Sequence, residues 1–185
     1  ITVADPTKRP HQLFMTGDQI YADDVSAALL LQLMDASNTL LGTDPAAPGW
    51  KGEETLPAGL PVGGSDYHTH KPSDLPPLAR ADILDTDAAG FTSADLRSHL
   101  MSLGEYLCMY LFTWSDVLWP KPADLPTPND LLAAVTASKR KLRAMTFLDD
   151  YNKVPGDTKD VQIFMETLFQ VRRALANIPT YMIFD

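Results

Sequence analysis

The sequence predicts an α/β fold in which two buried parallel strands enclose a helix-rich middle of about three to four helices. Nearly continuous apolar runs stand near both ends of the chain, at 12–16 (QLFMT) and at 180–185 (TYMIFD). Such runs are typical of parallel strands covered on both faces. Between them, apolar residues recur at helical spacing. An acid follows or ends each strand, Asp18 after the first and Asp185 at the second.

The first unit, residues 11–42, is predicted to be a strand followed by a helix. The strand stops at Gly17 and Asp18, and the helix is expected over 21–42. Asp23 and Asp24 would lie in its first turn, where the helix dipole favours negative charge, and Gly42 would be its C-cap. Apolar residues on more than one side predict that this helix is buried.

The next 50 residues, 43–92, are predicted to be a long loop, because they contain seven prolines and six glycines. A loop of this length in a compact domain is often functional, and it could cover a substrate as a lid. Within it, Asp66, His68 and His70 have a spacing that could bind zinc, but a zinc site needs more ligands. A solvated loop is therefore the favoured interpretation.

Helices are predicted over 93–178, followed by a strand over 179–185. Thr92 is the expected N-cap of the first helix, with Asp95 three residues later. Its apolar stripe has spacings of four and three: Leu96, Leu100, Leu103, Leu107, Tyr110, Trp114 and Val117. A second helix is expected from Pro128 to about residue 152, then a turn at 154–156, and a third helix from Asp157 to about residue 176.

Composition excludes several classes of function. The chain has 185 residues, with 15 Lys plus Arg and 24 Asp plus Glu, which gives a formal charge of −9. This balance argues against nucleic acid or anionic membranes as partners. No apolar run approaches 18 residues, so no membrane span is predicted, and one cysteine excludes an internal disulfide. The motifs of P-loop enzymes, dinucleotide oxidoreductases, serine hydrolases and zincins are absent from the sequence.

The chain has no initiator Met, and it stops within an apolar run. We expect it to be an N-terminal or central fragment of a longer protein. The sequence leaves the compartment undecided between the cytoplasm and export from a bacterium. It also leaves the oligomeric state undecided, although an exposed strand edge could pair two chains.

The predicted site lies where the first strand turns into the helix. Ligands of open α/β sheets bind beyond the carboxyl ends of the strands, and two parallel neighbours would place Asp18 and Asp185 at the same edge. Asp18 offers a hard oxygen ligand, and Tyr21 follows three residues later. A carboxylate with a phenolate suits a hard ion such as ferric iron. The alternative is that Asp18 caps the helix and Tyr21 packs.

Three segments together resemble a known family. RPHQLFMTGDQIYADD, RSHLMSLGEYLCMYLFTWSDVLWP and ANIPTYMIFD are similar to the alkaline phosphatase D (PhoD-like) branch of metallophosphoesterases. The resemblance covers both ordered ends and the helical middle, but not 43–92. In the family, PTYMIFD continues into Asp-His and a further acid, whereas this sequence stops at Asp185.

The resemblance implies a layered metallophosphoesterase-like fold that hydrolyses phosphate mono- and diesters at a metal cluster. Asp18 would bind and bridge metal ions, Tyr21 would bind Fe³⁺ with Ca²⁺ nearby, and Asp185 or its successor would supply another ligand. Other divalent metals are also possible. The family's upstream Ser-Cys-Gln-like strand and the Asp-His after Asp185 are absent here. We therefore expect the fragment alone to bind metal poorly and to be inactive.

Two alternatives to the enzyme are kept open. One is a non-catalytic helical interaction or regulatory module that retains a degenerate phosphatase fold. The other is an acidic helical scaffold in which the strand-ending acids are accidental. The residues encoded after Asp185 would distinguish the enzyme from the module.

The remaining polar candidates are predicted to have structural roles. His11 precedes the first strand, and His99 is expected on the polar surface of its helix. Cys108 is expected to be a buried, inert thiol, and Trp114 and Trp119 to pack rather than to stack on a ligand. The only basic cluster could attract a phosphorylated substrate, although a solvated helix face is favoured: Lys139, Arg140, Lys141 and Arg143.

Overall fold

The computed structural model of this chain describes residues 5–23, 25–42, 71–84, 93, 96–138 and 144–183. They form a mixed, mostly helical α/β structure, which confirms the predicted class at that level. The elements are β1 (Leu13–Met15), α1 (Ala27–Leu41), α2 (Ala81–Leu84), α3 (Leu103–Trp114), α4 (Pro128–Ser138), α5 (Ala144–Leu175) and β2 (Thr180–Met182). Short 3-10 helices span Pro6–Lys8, Pro72–Asp74 and Pro122–Asp124.

The two strands pair in parallel, as the sequence predicts. Leu13 is opposite Thr180, and Met15 is opposite Met182. The Leu13 N–H donates to the Pro179 carbonyl at 2.9 Å, and the Ile183 N–H donates to the Met15 carbonyl at 3.1 Å. Both strands therefore end at the same edge of the sheet.

The prediction that both strands are buried is wrong for the described residues. The Phe14 side chain is 61% exposed and that of Tyr181 is 53% exposed. Their rings stack on this open face with centroids 5.1 Å apart. An apolar run indicates that a strand is suited to burial on both faces, but the run itself does not provide the residues that would pack on those faces. Within the described residues the sheet has only two strands.

Helix α1 lies at the centre of the helical core and packs against both α3 and α5. Its Leu30 and Leu33 are fully buried in the same cluster as Phe112 of α3 and Leu168 of α5. A second cluster joins α1 to α4 and α5. The prediction that this helix is buried on more than one side is confirmed, because it belongs to both clusters.

Helix α1 begins later than predicted. The Ser26 side chain accepts a hydrogen bond from the Leu29 N–H at 3.2 Å and is the N-cap. Asp23 therefore precedes the helix rather than lying in its first turn. A serine directly before the apolar run is the stronger start signal. Gly42 is the C-cap, as predicted, and its N–H donates to the Asn38 carbonyl at 3.2 Å.

Helix α3 also begins later than predicted, at Leu103 rather than near residue 93. Its capping box consists of Ser102 and Glu105, whereas the predicted caps Thr92 and Asp95 lie outside the described residues. Leu96 and Leu100 are buried but not helical. Apolar spacing alone did not distinguish a helical turn from an irregular segment packed on the core.

The turn predicted at 154–156 is replaced by continuous helix. α5 runs through Pro155, and the preceding Val154 is fully buried in the second cluster. A proline in a helix removes one backbone hydrogen bond, and here the helix continues through it next to a residue that is buried against α1 and α4. The predicted helix start at Pro128 is confirmed, but α4 ends at Ser138, and 139–143 lie outside the described residues.

The predicted loop 43–92 is described only over 71–84, where a 3-10 helix and α2 are present. This part is anchored by Arg80, which is fully buried. The proline-rich sequence predicted a long loop, but it did not predict that Arg80 would be buried. In the described part of the chain, no helix is both long and apolar enough to cross a membrane.

Candidate metal centre

The connection between β1 and α1 has an unusual backbone. Gly17 has φ 155°, and Asp18 has φ 57°. The left-handed region costs free energy for most side chains, although Asp and Asn tolerate it better than others. A non-glycine residue held there marks a position that the surrounding structure determines and where a functional role is worth testing.

Asp18 and Tyr21 lie on this connection and are both accessible. The Asp18 side chain is exposed, and that of Tyr21 is 59% exposed. Ser26, not Asp18, caps α1. Tyr21 is not buried in the core. The helix-cap and packing alternative therefore does not describe these two residues.

The connection is tied to the rest of the structure beyond Tyr21. The Ala22 carbonyl accepts a hydrogen bond from the Leu100 N–H at 2.8 Å. The Asp23 carboxylate accepts one from the Ser93 hydroxyl at 2.7 Å. These bonds fix the end of the segment that carries Asp18 and Tyr21.

The third predicted ligand, Asp185, lies outside the described residues. Its sequence position can still be compared with the register of the strands. Met15 is opposite Met182, an offset of 167 residues, and the same offset relates Asp18 to Asp185.

The two predicted ligands that the structure describes, Asp18 and Tyr21, fit a hard metal ion in chemistry but not in number. Carboxylate oxygens suit hard ions such as Ca²⁺ and Mg²⁺, and a carboxylate with a phenolate suits Fe³⁺. Among the described residues, no group of three or more His, Cys, Asp or Glu side chains could hold an ion. A complete centre at Asp18 and Tyr21 therefore needs ligands from elsewhere.

An open cavity of about 410 Å³ adjoins the same connection. Gln19, Ile20 and Tyr21 form one wall, α1 and α3 contribute others, and α5 closes one side. The Gln19 side chain is the unexpected feature. Both of its polar atoms are buried and have no hydrogen-bond partner among the described residues. Sequence reasoning missed Gln19, because nothing in the sequence distinguishes it from a surface glutamine.

Two acids of α5, Asp157 and Asp160, also line the cavity. The pKa of Asp157 is raised above its ordinary value of 3.8, first because burial disfavours the carboxylate and then because the charge of Asp160 is close. Smaller effects come from Lys153, which lowers the pKa of Asp157, and from Asp150, which raises it. The cavity thus has a negative side.

Arg80 and Glu105 form a buried ion pair in the core. The Arg80 guanidinium and the Glu105 carboxylate form two hydrogen bonds, at 2.7 and 2.8 Å, and both side chains are fully buried. Arg80 also donates to the carbonyls of Leu75 and His99 at 2.8 and 2.6 Å. Neighbouring Tyr106 has a raised pKa, mainly because of burial and then because of Glu105. The Ser-x-x-Glu pattern at 102–105 was the available sequence signal.

One prediction for the other candidates is wrong. His99 was expected on a helix surface, but it is only 9% exposed, and its Nδ1 lies 2.6 Å from the Leu100 carbonyl oxygen. The reason is that 96–102 is an irregular, buried segment. Cys108 is buried, as predicted. Trp119 packs on Phe112, also as predicted, and additionally lines the cavity. His11 is exposed.

Two sequence candidates lie outside the described residues. They are the Asp66, His68 and His70 group and the basic cluster at 139–143. Their predicted roles remain predictions.

In comparisons with known proteins, no protein-family model, no curated protein and no solved structure matches the chain.

Proposed function

We propose that this chain forms part of a metal-dependent phosphoesterase that hydrolyses phosphate mono- or diesters, with Asp18, Tyr21 and Asp185 as metal ligands. The observation that carries the proposal is the parallel register of β1 and β2. The offset that pairs Met15 with Met182 also relates the two acids beyond the strands. Ligands of such sheets bind at this edge.

The backbone and exposure of the β1–α1 connection give further support. Asp18 is held in the left-handed region, and Tyr21 is accessible to a ligand. In the family that the sequence resembles, the matching Asp and Tyr bind metal. The same resemblance favours Fe³⁺ with Ca²⁺, and other divalent ions are alternatives.

The chain's own residues would have distinct roles. A bound ion would supply Lewis-acid polarisation of the phosphoryl group and would lower the pKa of water towards neutrality. Asp18 would fix the position of the positive charge. The Tyr21 phenolate would favour a trivalent ion, and the hydrogen bonds at Ala22 and Asp23 would hold both side chains in orientation.

The test is hydrolysis of p-nitrophenyl phosphate and bis(p-nitrophenyl) phosphate by the whole enzyme of which residues 1–185 would form part, with Fe³⁺ and Ca²⁺ supplied. Asp18→Asn should lower kcat about 100-fold, because a charged ligand is lost. Asn tolerates the left-handed backbone, so the fold should be retained. Asp124→Asn is the matched control, because Asp124 is an exposed acid in the 3-10 helix Pro122–Asp124 and not in the β1–α1 connection.

The second candidate is the non-catalytic interaction module. Exposed large apolar side chains on α5 favour it, among them Ile163, Phe164 and Phe169. A folded protein that hydrolyses neither ester with any of the metals would contradict the phosphoesterase and leave the module as the better account.

A further inference from the structure

We propose that an open groove beside the C-terminal end of α5 binds a small phosphorylated molecule that carries an aromatic ring. This inference does not depend on the metal centre or on phosphoester hydrolysis by this protein. It rests on three properties of the groove: its place in the fold, its two arginines and its exposed aromatic side chain.

The groove lies at the amino edge of the sheet, whereas the proposed metal centre lies at the carboxyl edge. One wall consists of Arg9 and Pro10, which precede β1, and the other is the C-terminal part of α5. The Leu13 N–H donates to the Pro179 carbonyl at 2.9 Å and so joins the chain beyond the two walls. The volume of about 810 Å³ lies in the range of small-molecule sites.

The charge of the groove favours an anion. Arg9 and Arg173 line it, and no Asp or Glu is among the described residues that do, although the whole chain has a formal charge of −9. The neighbouring Arg172 pairs with Asp116, with Nε and Oδ1 3.0 Å apart. Within the described part of the chain, Arg173 has no such acidic partner. A guanidinium group can bind two phosphate oxygens at once, so this side chain is suited to a phosphate.

The backbone at the end of α5 does not oppose this assignment. The C-terminus of a helix carries a partial negative charge on its carbonyl groups. Here the Arg173 carbonyl accepts a hydrogen bond from the Asn177 side-chain amide at 2.6 Å, and the Ala174 carbonyl accepts one from the Asn177 N–H at 3.0 Å. The carbonyls of Arg172 and Leu175 also accept backbone hydrogen bonds. Because these carbonyls are bonded, the two guanidinium groups dominate the charge that a ligand meets.

The aromatic side chain in the groove is Phe169. It is 50% exposed and lies four residues before Arg173, so both side chains are on the same face of α5. Pro10 and Ile178 add apolar surface to the lining. A ring packed on Phe169 would remove apolar surface from water while the attached phosphate binds the arginines. Inorganic phosphate alone would leave this apolar surface exposed.

Phenylphosphonate is the probe, because it combines a ring with an anionic phosphonate and has no ester bond to hydrolyse. It is titrated into the whole protein of which residues 1–185 would form part. The side-chain amide NMR signals of Gln170 and Asn177, which line the groove, report binding there. Phosphonate bound by a metal ion at Asp18 is therefore not counted. We expect saturable shifts with a dissociation constant of roughly 1 mM, which is typical of so small a ligand.

Two related compounds separate the contacts. Methylphosphonate lacks the ring, and benzamide lacks the negative charge. Each should bind at least about fivefold more weakly than phenylphosphonate, because one of the two interactions is lost.

Three protein variants should respond selectively. Arg9→Gln and Arg173→Gln should each weaken phenylphosphonate about tenfold. Phe169→Ala should weaken it about fivefold and leave methylphosphonate unchanged. All three side chains are exposed, so the protein should remain folded. Arg172→Gln is the matched control, because it removes the same charge from the next residue, which does not line the groove.

Three outcomes would overturn the proposal. One is the absence of saturable shifts of the Gln170 and Asn177 signals in a protein whose NMR spectrum shows that it is folded. The second is binding that Arg9→Gln and Arg173→Gln weaken no more than Arg172→Gln does, because the two arginines would then not hold the phosphonate. The third is equal affinity for methylphosphonate and phenylphosphonate, because the groove would then not recognise a ring.

Discussion

Met15 and Met182 are opposite each other in the parallel pair of β1 and β2, and the N–H of the next residue, Ile183, donates to the Met15 carbonyl at 3.1 Å. This bond is at the carboxyl edge of the sheet. Three positions beyond each methionine the sequence has an acid, Asp18 or Asp185. The proposed metal centre depends on this register.

Ile183→Pro tests that bond directly. Proline has no backbone N–H, so the bond to Met15 is lost, and the free energy of unfolding should fall by about 1–3 kcal/mol. Ile183→Ala is the control, because it keeps the N–H and removes a side chain that is already half exposed. Urea unfolding measures both variants. Equal stability of the two would contradict the register.

Glu105→Gln should be strongly destabilising. The substitution leaves the Arg80 charge buried without its partner, and such losses cost about 3–5 kcal/mol. Glu166→Gln on α5 is the matched control, because Glu166 is exposed and its carboxylate accepts a hydrogen bond from the Gln162 side chain at the surface. It should change the free energy of unfolding by less than about 0.5 kcal/mol. Similar urea midpoints for the two variants would show that the pair contributes little.

Asp157 should make stability depend on pH. Its folded pKa lies above the ordinary 3.8, so the folded state keeps this proton to higher pH than the unfolded chain does. The contribution of Asp157 is therefore greatest below pH 3.8 and is lost as the pH rises through the folded pKa. Because the group is partly exposed, the change should be less than about 1 kcal/mol.

Asp157→Asn removes this dependence. Relative to the unmodified protein, the variant should gain stability as the pH rises from about 3.8 and then level off. The measurement is the free energy of unfolding in urea across this range. In a second variant, Asp160→Asn, the NMR titration midpoint of Asp157 should fall, since a neighbouring negative charge is removed. A midpoint that does not move would show that Asp160 is not a cause.

Gly156→Ala should stabilise α5. Gly156 lies inside the helix next to Pro155, and a Cβ at this position would meet no atom within 4 Å other than those of its chain neighbours and its own helix backbone. Alanine costs less backbone entropy in a helix, so the free energy of unfolding should rise by about 0.5–1 kcal/mol. This corresponds to about 1–4 °C in Tm. A lower Tm would show that the backbone near Pro155 needs glycine.

The class of the fold and the parallel pairing were predictable from the sequence because they rest on strong local signals. The strands are short apolar runs, and proline at position 128 marks a helix start. The exact start of α1 was harder to predict from the sequence. Two acids at 23 and 24 resembled a first turn, but Ser26 caps the helix because its side chain reaches the Leu29 N–H.

Features that depend on tertiary contacts could not be read from local patterns. Pro155 normally ends a helix, and burial of Val154 allows α5 to continue. Arg80 sits in a proline-rich segment that resembles solvated loop, and only its distant partner Glu105 explains its burial. The burial of the Gln19 amide likewise depends on the residues packed around it.

The most direct test of the central claim is the metal content and visible absorption of the whole enzyme of which residues 1–185 would form part, after reconstitution with Fe³⁺. The account predicts near-stoichiometric iron and a broad tyrosinate-to-iron band that Tyr21→Phe abolishes. Tyr151→Phe is the matched control and should keep the band, because Tyr151 contacts Asn129, away from the β1–α1 connection. Bound zinc or manganese without such a band would remove the role of Tyr21. No bound metal at all would contradict a metal centre at Asp18.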